Sequence, residues 1–336
     1  MTAARAHSTW GSARVLRANA GPRQGARWAG LMLFLGLEMG FFAFMTPEFL
    51  SLTNILNAGR ALSILAIVAT GATFGLISGA LDISVGSVIA ISGTAATLTL
   101  MDGDPAVVAI GAGIVIGLVV GTANGLVVVI LRVNPIIATL AMLGIARGAA
   151  FLISGGAAIA SPGQTLSATD PLFNAMQLSV AGVPLPLIVA LLVVGVGHVV
   201  LGYTRLGRYA YAVGGNAQAG RAAAIPVDWL RVAFLAISGA LCGLAGWVYA
   251  SMASGVGAYI AQGYELTAIT AVILGGAALA GGTGTMGGTF LGVLILGVMV
   301  NGLTLMGVPV FYQLMGQGLV LLAAVAVDSR HTGGYR

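Results

Sequence analysis

Apolar residues in this chain fall in long unbroken runs rather than alternating with polar ones. Ten such runs stand out, at residues 28–46, 58–78, 84–101, 105–131, 133–153, 183–202, 229–252, 266–282, 286–306 and 310–327. Each is near the roughly 20 residues that carry an α-helix across a bilayer. A membrane β-barrel is excluded, because its strands alternate apolar and polar positions. The pattern predicts an all-α polytopic membrane protein of about ten transmembrane helices.

Composition narrows the function classes. Of 336 residues, 58% are hydrophobic, 52 are Gly and only 7% are charged, against roughly 25% charged in a soluble domain. That excludes most soluble enzymes, and the net charge of +5 points to no nucleic-acid partner. All 14 basic residues are Arg, and their placement orients the chain. With the N-terminus inside, 12 of the 14 fall on the cytoplasmic side: Arg5, Arg14, Arg17, Arg23, Arg27, Arg132, Arg205, Arg208, Arg221, Arg231, Arg330 and Arg336. Cytoplasmic loops carry that excess, so both termini are expected inside. Glu48, Asp102, Asp104, Asp170 and Glu265 then lie outside. Residues 1–27 read as a disordered, Arg-rich cytoplasmic tail, 28–327 as one membrane domain, and 328–336 as a short cytoplasmic tail. Two loops are long, 154–182 outside and 203–228 inside.

The chain repeats itself. Residues 111–126 (GAGIVIGLVVGTANGL) echo residues 288–303 (GTFLGVLILGVMVNGL). These are the fourth and ninth runs, five apart and therefore opposite in direction. Inverted repeats are a recurrent transporter design, here relating spans 2–5 to spans 7–10. Chance similarity between glycine-rich helices is the alternative.

Polar groups inside the runs are the candidate working residues, since an intramembrane ionisable group is costly. Glu38 lies midway through the first run, as a functional acid or a packing residue. Arg147 lies near an outer end and is placed to snorkel. His198 reads as a hydrogen-bonded helix residue, and Cys242 as a small packing residue. Asn124, Asn134 and Asn301 line a polar path or cap helix ends. A Ser–His protease built on Ser92 or Ser238 finds little support, because His198 alone lies in an apolar run, at its cytoplasmic end, and no intramembrane His follows Ser238. No phosphate-binding loop of the G-x-x-x-x-G-K-[ST] form is present, so the chain does not energise itself with ATP. The three His are far apart in sequence, and no metal site is expected.

Two segments read as non-helical. Residues 78–87 (SGALDISVGS) break two apolar runs, with Asp82 or Ser84 placed to cap the next helix and to border a translocation path. In the inner loop, Gly214 and Gly215 read as a turn and Asn216 as an N-cap. Residues 217–224 read as a short helix ended by Ile225 and Pro226. Such a helix suits docking on a soluble partner, with Arg221 available to a partner's acid.

Three blocks carry a resemblance. Residues 79–87 (GALDISVGS), 203–227 (YTRLGRYAYAVGGNAQAGRAAAIPV) and the stretch from 263 (GYELTAITAVILGGAALAGGTGTMGGT) resemble the permease subunits of bacterial ABC importers for monosaccharides. Departures are Ala278 where Ser or Thr is usual, Ala224 where Gly is usual, and Gly220 within an Ala pair. The resemblance implies a non-enzymatic subunit of the bacterial inner membrane. It would pair with a second permease copy or a paralogue, with a cytoplasmic ATP-binding cassette and with a periplasmic sugar-binding protein. The cargo would be a monosaccharide or related polyol moved by alternating access. It needs no cofactor of its own, ATP being bound by the partner subunit. Residues 214–227 become the coupling segment, with Gly214, Gly215, Asn216, Ala217, Arg221 and Ile225 facing the ATPase. Asp82, Ser84, Asn124, Asn134 and Asn301 remain the path candidates. A branched-chain amino-acid permease and an ion-coupled secondary transporter are the alternatives, and the latter has only Glu38 as a coupling acid.

Overall fold

The computed structural model describes residues 22–156, 158–159 and 170–332. Most of the expected tail and part of the outer loop lie outside these residues. The helices are α1 (Pro22–Met45), α2 (Leu52–Ile77), α3 (Val85–Met101), α4 (Ala106–Ile130), α5 (Pro135–Ser154), α6 (Leu185–Tyr203), α7 (Arg205–Gly215), α8 (Ala217–Ala222), α9 (Val227–Ala253), α10 (Tyr264–Leu274), α11 (Met286–Leu305) and α12 (Val310–Thr332). Four two-residue strands pair as small antiparallel ribbons: β1 (Ala158–Ile159) with β4 (Val256–Gly257), and β2 (Ser179–Val180) with β3 (Val183–Pro184). The chain is thus an all-α multi-pass membrane protein.

Seven of the described helices are long and apolar enough to cross a membrane: α1, α2, α4, α5, α6, α9 and α11. The other three expected spans are shorter apolar helices, α3, α10 and the apolar part of α12. The largest departure is at the eighth run. Residues 266–282 were expected as one span, but α10 stops at Leu274 and residues 275–285 are irregular. The reason is the glycine run. Gly276, Gly281, Gly282 and Gly284 all take positive φ (108°, 86°, 76° and 139°), which residues with a Cβ adopt only under strain. Eleven helical residues rise about 16 Å, roughly half the hydrocarbon thickness. The ends also move. α1 starts at Pro22, with Pro suited to a first helical turn, so residues 22–27 are helical rather than disordered, and α12 runs on to Thr332.

The break between α2 and α3 falls where the sequence placed it, with Ser78 closing α2 and Gly79 at φ 75°. The two breaks occupy matching places. α4 packs on α9 and α11 on α2; α3 packs on α9, α4 and α5, and α10 on α2, α11 and α12. Among these eight helices, exchanging α2 with α9, α3 with α10, α4 with α11 and α5 with α12 returns the same set of neighbours. α3 and α10 meet at their first turns, where the Glu265 side chain fills the space over Gly86. Glu265 is therefore packed against a helix, not set in an outer loop.

Glycine holds the first of these seams. Cβ atoms added at Gly117 and Gly239 would each run into the other residue's carbonyl oxygen, and Gly121 and Gly243 are as tight against the opposite helix. Without a hydrophobic drive inside a bilayer, close backbone packing is what holds such helices together. The main buried cluster lies here, around Ile67, Val68, Ile89, Ala245 and Val248.

Candidate coupling junction

α7 and α8 form the excursion between α6 and α9. The Thr204 hydroxyl accepts the Gly207 N–H at 3.4 Å and starts α7. Asn216 is extended, with φ −161°, and its Oδ1 accepts the Ala219 N–H at 2.9 Å, so it caps α8 as its sequence position implied. α8 is shorter than expected and ends at Ala222. Ala224 then turns the chain at φ 58°. An L-residue there costs roughly 1–2 kcal/mol, which gives a physical reason why Gly suits that place. Arg221 is not free. Its Nη2 lies 2.6 Å from Asp228 Oδ1, both side chains about half exposed. Beside this pair, Ile225, Pro226 and the exposed Trp229 frame a shallow surface depression.

Gly214 and Gly215 are not a turn; they are the last residues of α7. Gly214 is there for contact. A Cβ on it would run into the Ile77 carbonyl oxygen and lie 2.6 Å from the Gly282 amide. That amide donates to the Ile77 carbonyl at 2.8 Å, and a Cβ on Gly281 would lie 3.2 Å from Gly79 Cα. Tyr211 adds a bond, its hydroxyl donating to the Gly284 carbonyl at 2.8 Å. Burial pushes the Tyr211 hydroxyl above its ordinary pKa. On the far side, Arg27 Nη2 donates to the Ile273 carbonyl at 3.4 Å and the Trp28 ring rests on Gly287. The C-terminal end of α7, the α2–α3 break and the α10–α11 break thus share one backbone-to-backbone junction.

The α2–α3 break is pinned from inside. Asp82 Oδ1 accepts the Ser84 N–H at 2.9 Å and the Ser84 hydroxyl at 2.6 Å, and Asp82 Oδ2 accepts the Ser238 hydroxyl at 3.0 Å. Asn124 Nδ2 donates to Ser84 Oγ at 2.9 Å. Ser84 therefore turns its hydroxyl back to Asp82 and does not cap α3. Thr139 of α5 accepts the Ile83 N–H at 3.1 Å. Asp82, Ser84, Asn124 and Ser238 are all fully buried. Asp82, Ser84 and Asn124 thus come together as the sequence grouped them, but as a sealed tie between the α2–α3 break, α4 and α9.

The other candidates lie elsewhere. Asn134 is exposed and caps α5, its Oδ1 accepting the Ile136 N–H at 2.9 Å. Asn301 exchanges hydrogen bonds with Asn54 at 2.9 and 3.0 Å. Arg147 does not snorkel; its Nη1 donates to the Ala258 and Ile260 carbonyls and ties α5 to the turn before α10. Glu38 is half-buried, with its Oε2 shut off from solvent. His198 is exposed, and Cys242 is a buried free thiol, in keeping with a packing role. Sequence reasoning missed Ser238 as a network member, Tyr211, Thr139 and Asn54. Each reaches a partner at least 56 residues away, a distance no local pattern reports.

Comparison with known proteins places the chain. A sequence model of the family described as branched-chain amino acid transport system / permease component matches residues 54–325. The ribose import permease RbsC of Escherichia coli K12 is 37% identical over 287 residues, 85% of this chain and 88% of that protein. The RbsC of Bacillus subtilis 168 is 36% identical over 307 residues, 90% of this chain and 94% of its own. The L-arabinose transport system permease AraH of E. coli K12 is 34% identical over 299 residues, 89% of each chain. No solved structure matches.

Proposed function

This chain belongs to the branched-chain amino acid transport system / permease component family, and from that premise we propose that it is the membrane-spanning subunit of an ATP-driven monosaccharide importer. It is a transport subunit of the bacterial inner membrane, not an enzyme. The relatives that match across most of its length are ribose and L-arabinose permeases, which favours a sugar over the amino acid of the family's description. Uptake of labelled ribose with leucine as competitor separates the two.

The observation that carries the mechanism is the shared junction beneath the docking segment. A cytoplasmic ATP-binding cassette would grip α8 and the Ile225–Trp229 surface. Movement there enters α7 and reaches Gly214 and Gly215. Because these touch both breaks through backbone atoms, no flexible side chain absorbs the motion. Both pseudo-equivalent halves are displaced together, as a switch between inward and outward access requires. The sealed tie at Asp82 keeps the first break in shape and need not touch the cargo. The Arg distribution supports cytoplasmic termini, and the interchangeable neighbours of the two halves support an inverted repeat. Ten crossings remain our reading, with α3 and α10 as partial ones. A second permease copy would complete the path, and a periplasmic sugar-binding protein would deliver the cargo.

The test is coupling. Gly215→Glu and Arg221→Glu are expected to lower both sugar uptake and substrate-stimulated ATPase of the assembled complex, while the chain stays in the membrane. Normal coupling in both variants would reject the docking assignment. A stoichiometric ATPase should co-purify in mild detergent. A chain that catalyses uptake in liposomes without ATP would overturn the importer reading.

A further inference from the structure

A cavity of about 250 Å³ lies between α2 and α11, with α6 and the Pro47–Leu50 turn at its sides. Its wall is apolar. Three polar side chains border it, and each is already satisfied. Asn54 and Asn301 bond each other, and the Ser63 hydroxyl donates to the Gly59 carbonyl at 2.7 Å. Water and sugars need convergent polar partners, so neither suits this space. The rim is also apolar, and Met39, Leu50, Ile55 and Leu191 are exposed there, Met39, Ile55 and Leu191 on helices apolar enough to span a membrane.

We propose that this cavity is a binding site for one acyl chain of a membrane phospholipid. Residues 1–21 are a poor occupant, because Arg5, Arg14 and Arg17 would have to enter a wall with no acceptor for them. The rim, by contrast, is formed by α1, α2, α6 and α11, all long and apolar enough to span a membrane, so in that reading acyl chains reach it from the side. The corresponding seam in the other half is closed by glycine, so the vacancy belongs to this seam and not to the fold as a whole. The site rests on the membrane-spanning reading alone and is independent of cargo and cassette.

The test uses the full chain in nanodiscs of phosphatidylcholine that carries a photoreactive diazirine on one acyl chain, with labelled peptides mapped by mass. Labelling is expected to concentrate several-fold on residues 55–66 and 290–298 over the exposed row Val107, Val115 and Val119 of α4. Ala58→Phe, which fills the space, should remove that excess while the protein elutes unchanged; Ala58→Leu serves if Phe disturbs folding. Even labelling along all apolar helices, or an excess untouched by the filled variants, would overturn the site. So would an Ile55→Cys variant that cross-links two copies while labelling is absent, which would give the cavity to a second copy.

Discussion

Along the α4–α9 seam, Gly113, Gly117 and Gly121 bring backbone against backbone, and a Cβ at Gly121 would lie 3.0 Å from Gly239 Cα. Along the α2–α11 seam the echoed positions are Phe290, Leu294 and Val298, and all three line the apolar cavity. One residue choice, repeated at every turn, separates a zipped seam from a propped one. The two share a topology, so the contrast isolates what side-chain bulk does in a bilayer. Where helices are held by packing rather than by hydrophobic transfer, glycine sets a rigid unit. Larger residues at the same places leave a compliant one. The asymmetry gives the chain one tightly packed seam, beside the sealed Asp82 tie, and one seam with free volume along it.

The sharpest way to break the comparison is to prop the zipped seam. Gly117→Leu places a side chain where the Gly239 carbonyl now lies. Neither backbone can retreat without parting the helices, so the cost is about 3 kcal/mol or more. Loss of monodisperse protein after mild heating in detergent is the expected result. A variant as heat-stable as the parent would show that the seam is not the rigid element.

How much of this was legible in the sequence follows from the range of each contact. Apolar run length placed nearly every spanning helix. The break at Asp82 was visible because polar residues interrupt the run. The break after Leu274 was hidden, since Ala277, Ala278 and Leu279 keep the run apolar. Asn216 was legible as a cap because its partner, Ala219, is three residues on. Gly214 was misread as a turn because its reason, the Ile77 carbonyl, lies on another helix. Arg147 was misread for the same cause, its acceptors being over 110 residues away.

The paired asparagines sharpen the comparison at intermediate cost. Asn301→Ala removes two side-chain bonds to Asn54 and leaves the Asn54 Oδ1 without a donor, a loss of about 2 kcal/mol. Asn124→Ala removes one donated bond to Ser84, while the Asn124 Oδ1 has no partner to lose. Its cost is about 1 kcal/mol. Thermal midpoints of the two variants in the same detergent should rank in that order. The reverse ranking would place more of the fold's stability on the sealed tie than its bond pattern allows.

The smallest effect is expected where the propped seam is trimmed. Leu294 is half-buried and faces space that already exists. Leu294→Ala therefore deepens a cavity instead of creating one. In water such a change in a filled core costs 2–5 kcal/mol, much of it apolar transfer. In a bilayer the transfer part vanishes, because a lipid chain replaces the lost contacts at the open rim. About 1 kcal/mol or less should remain, well below the Gly117→Leu effect at the echoed position. A loss as large as that of Gly117→Leu would mean that the two seams are equally tight and that the contrast between the halves is one of shape only.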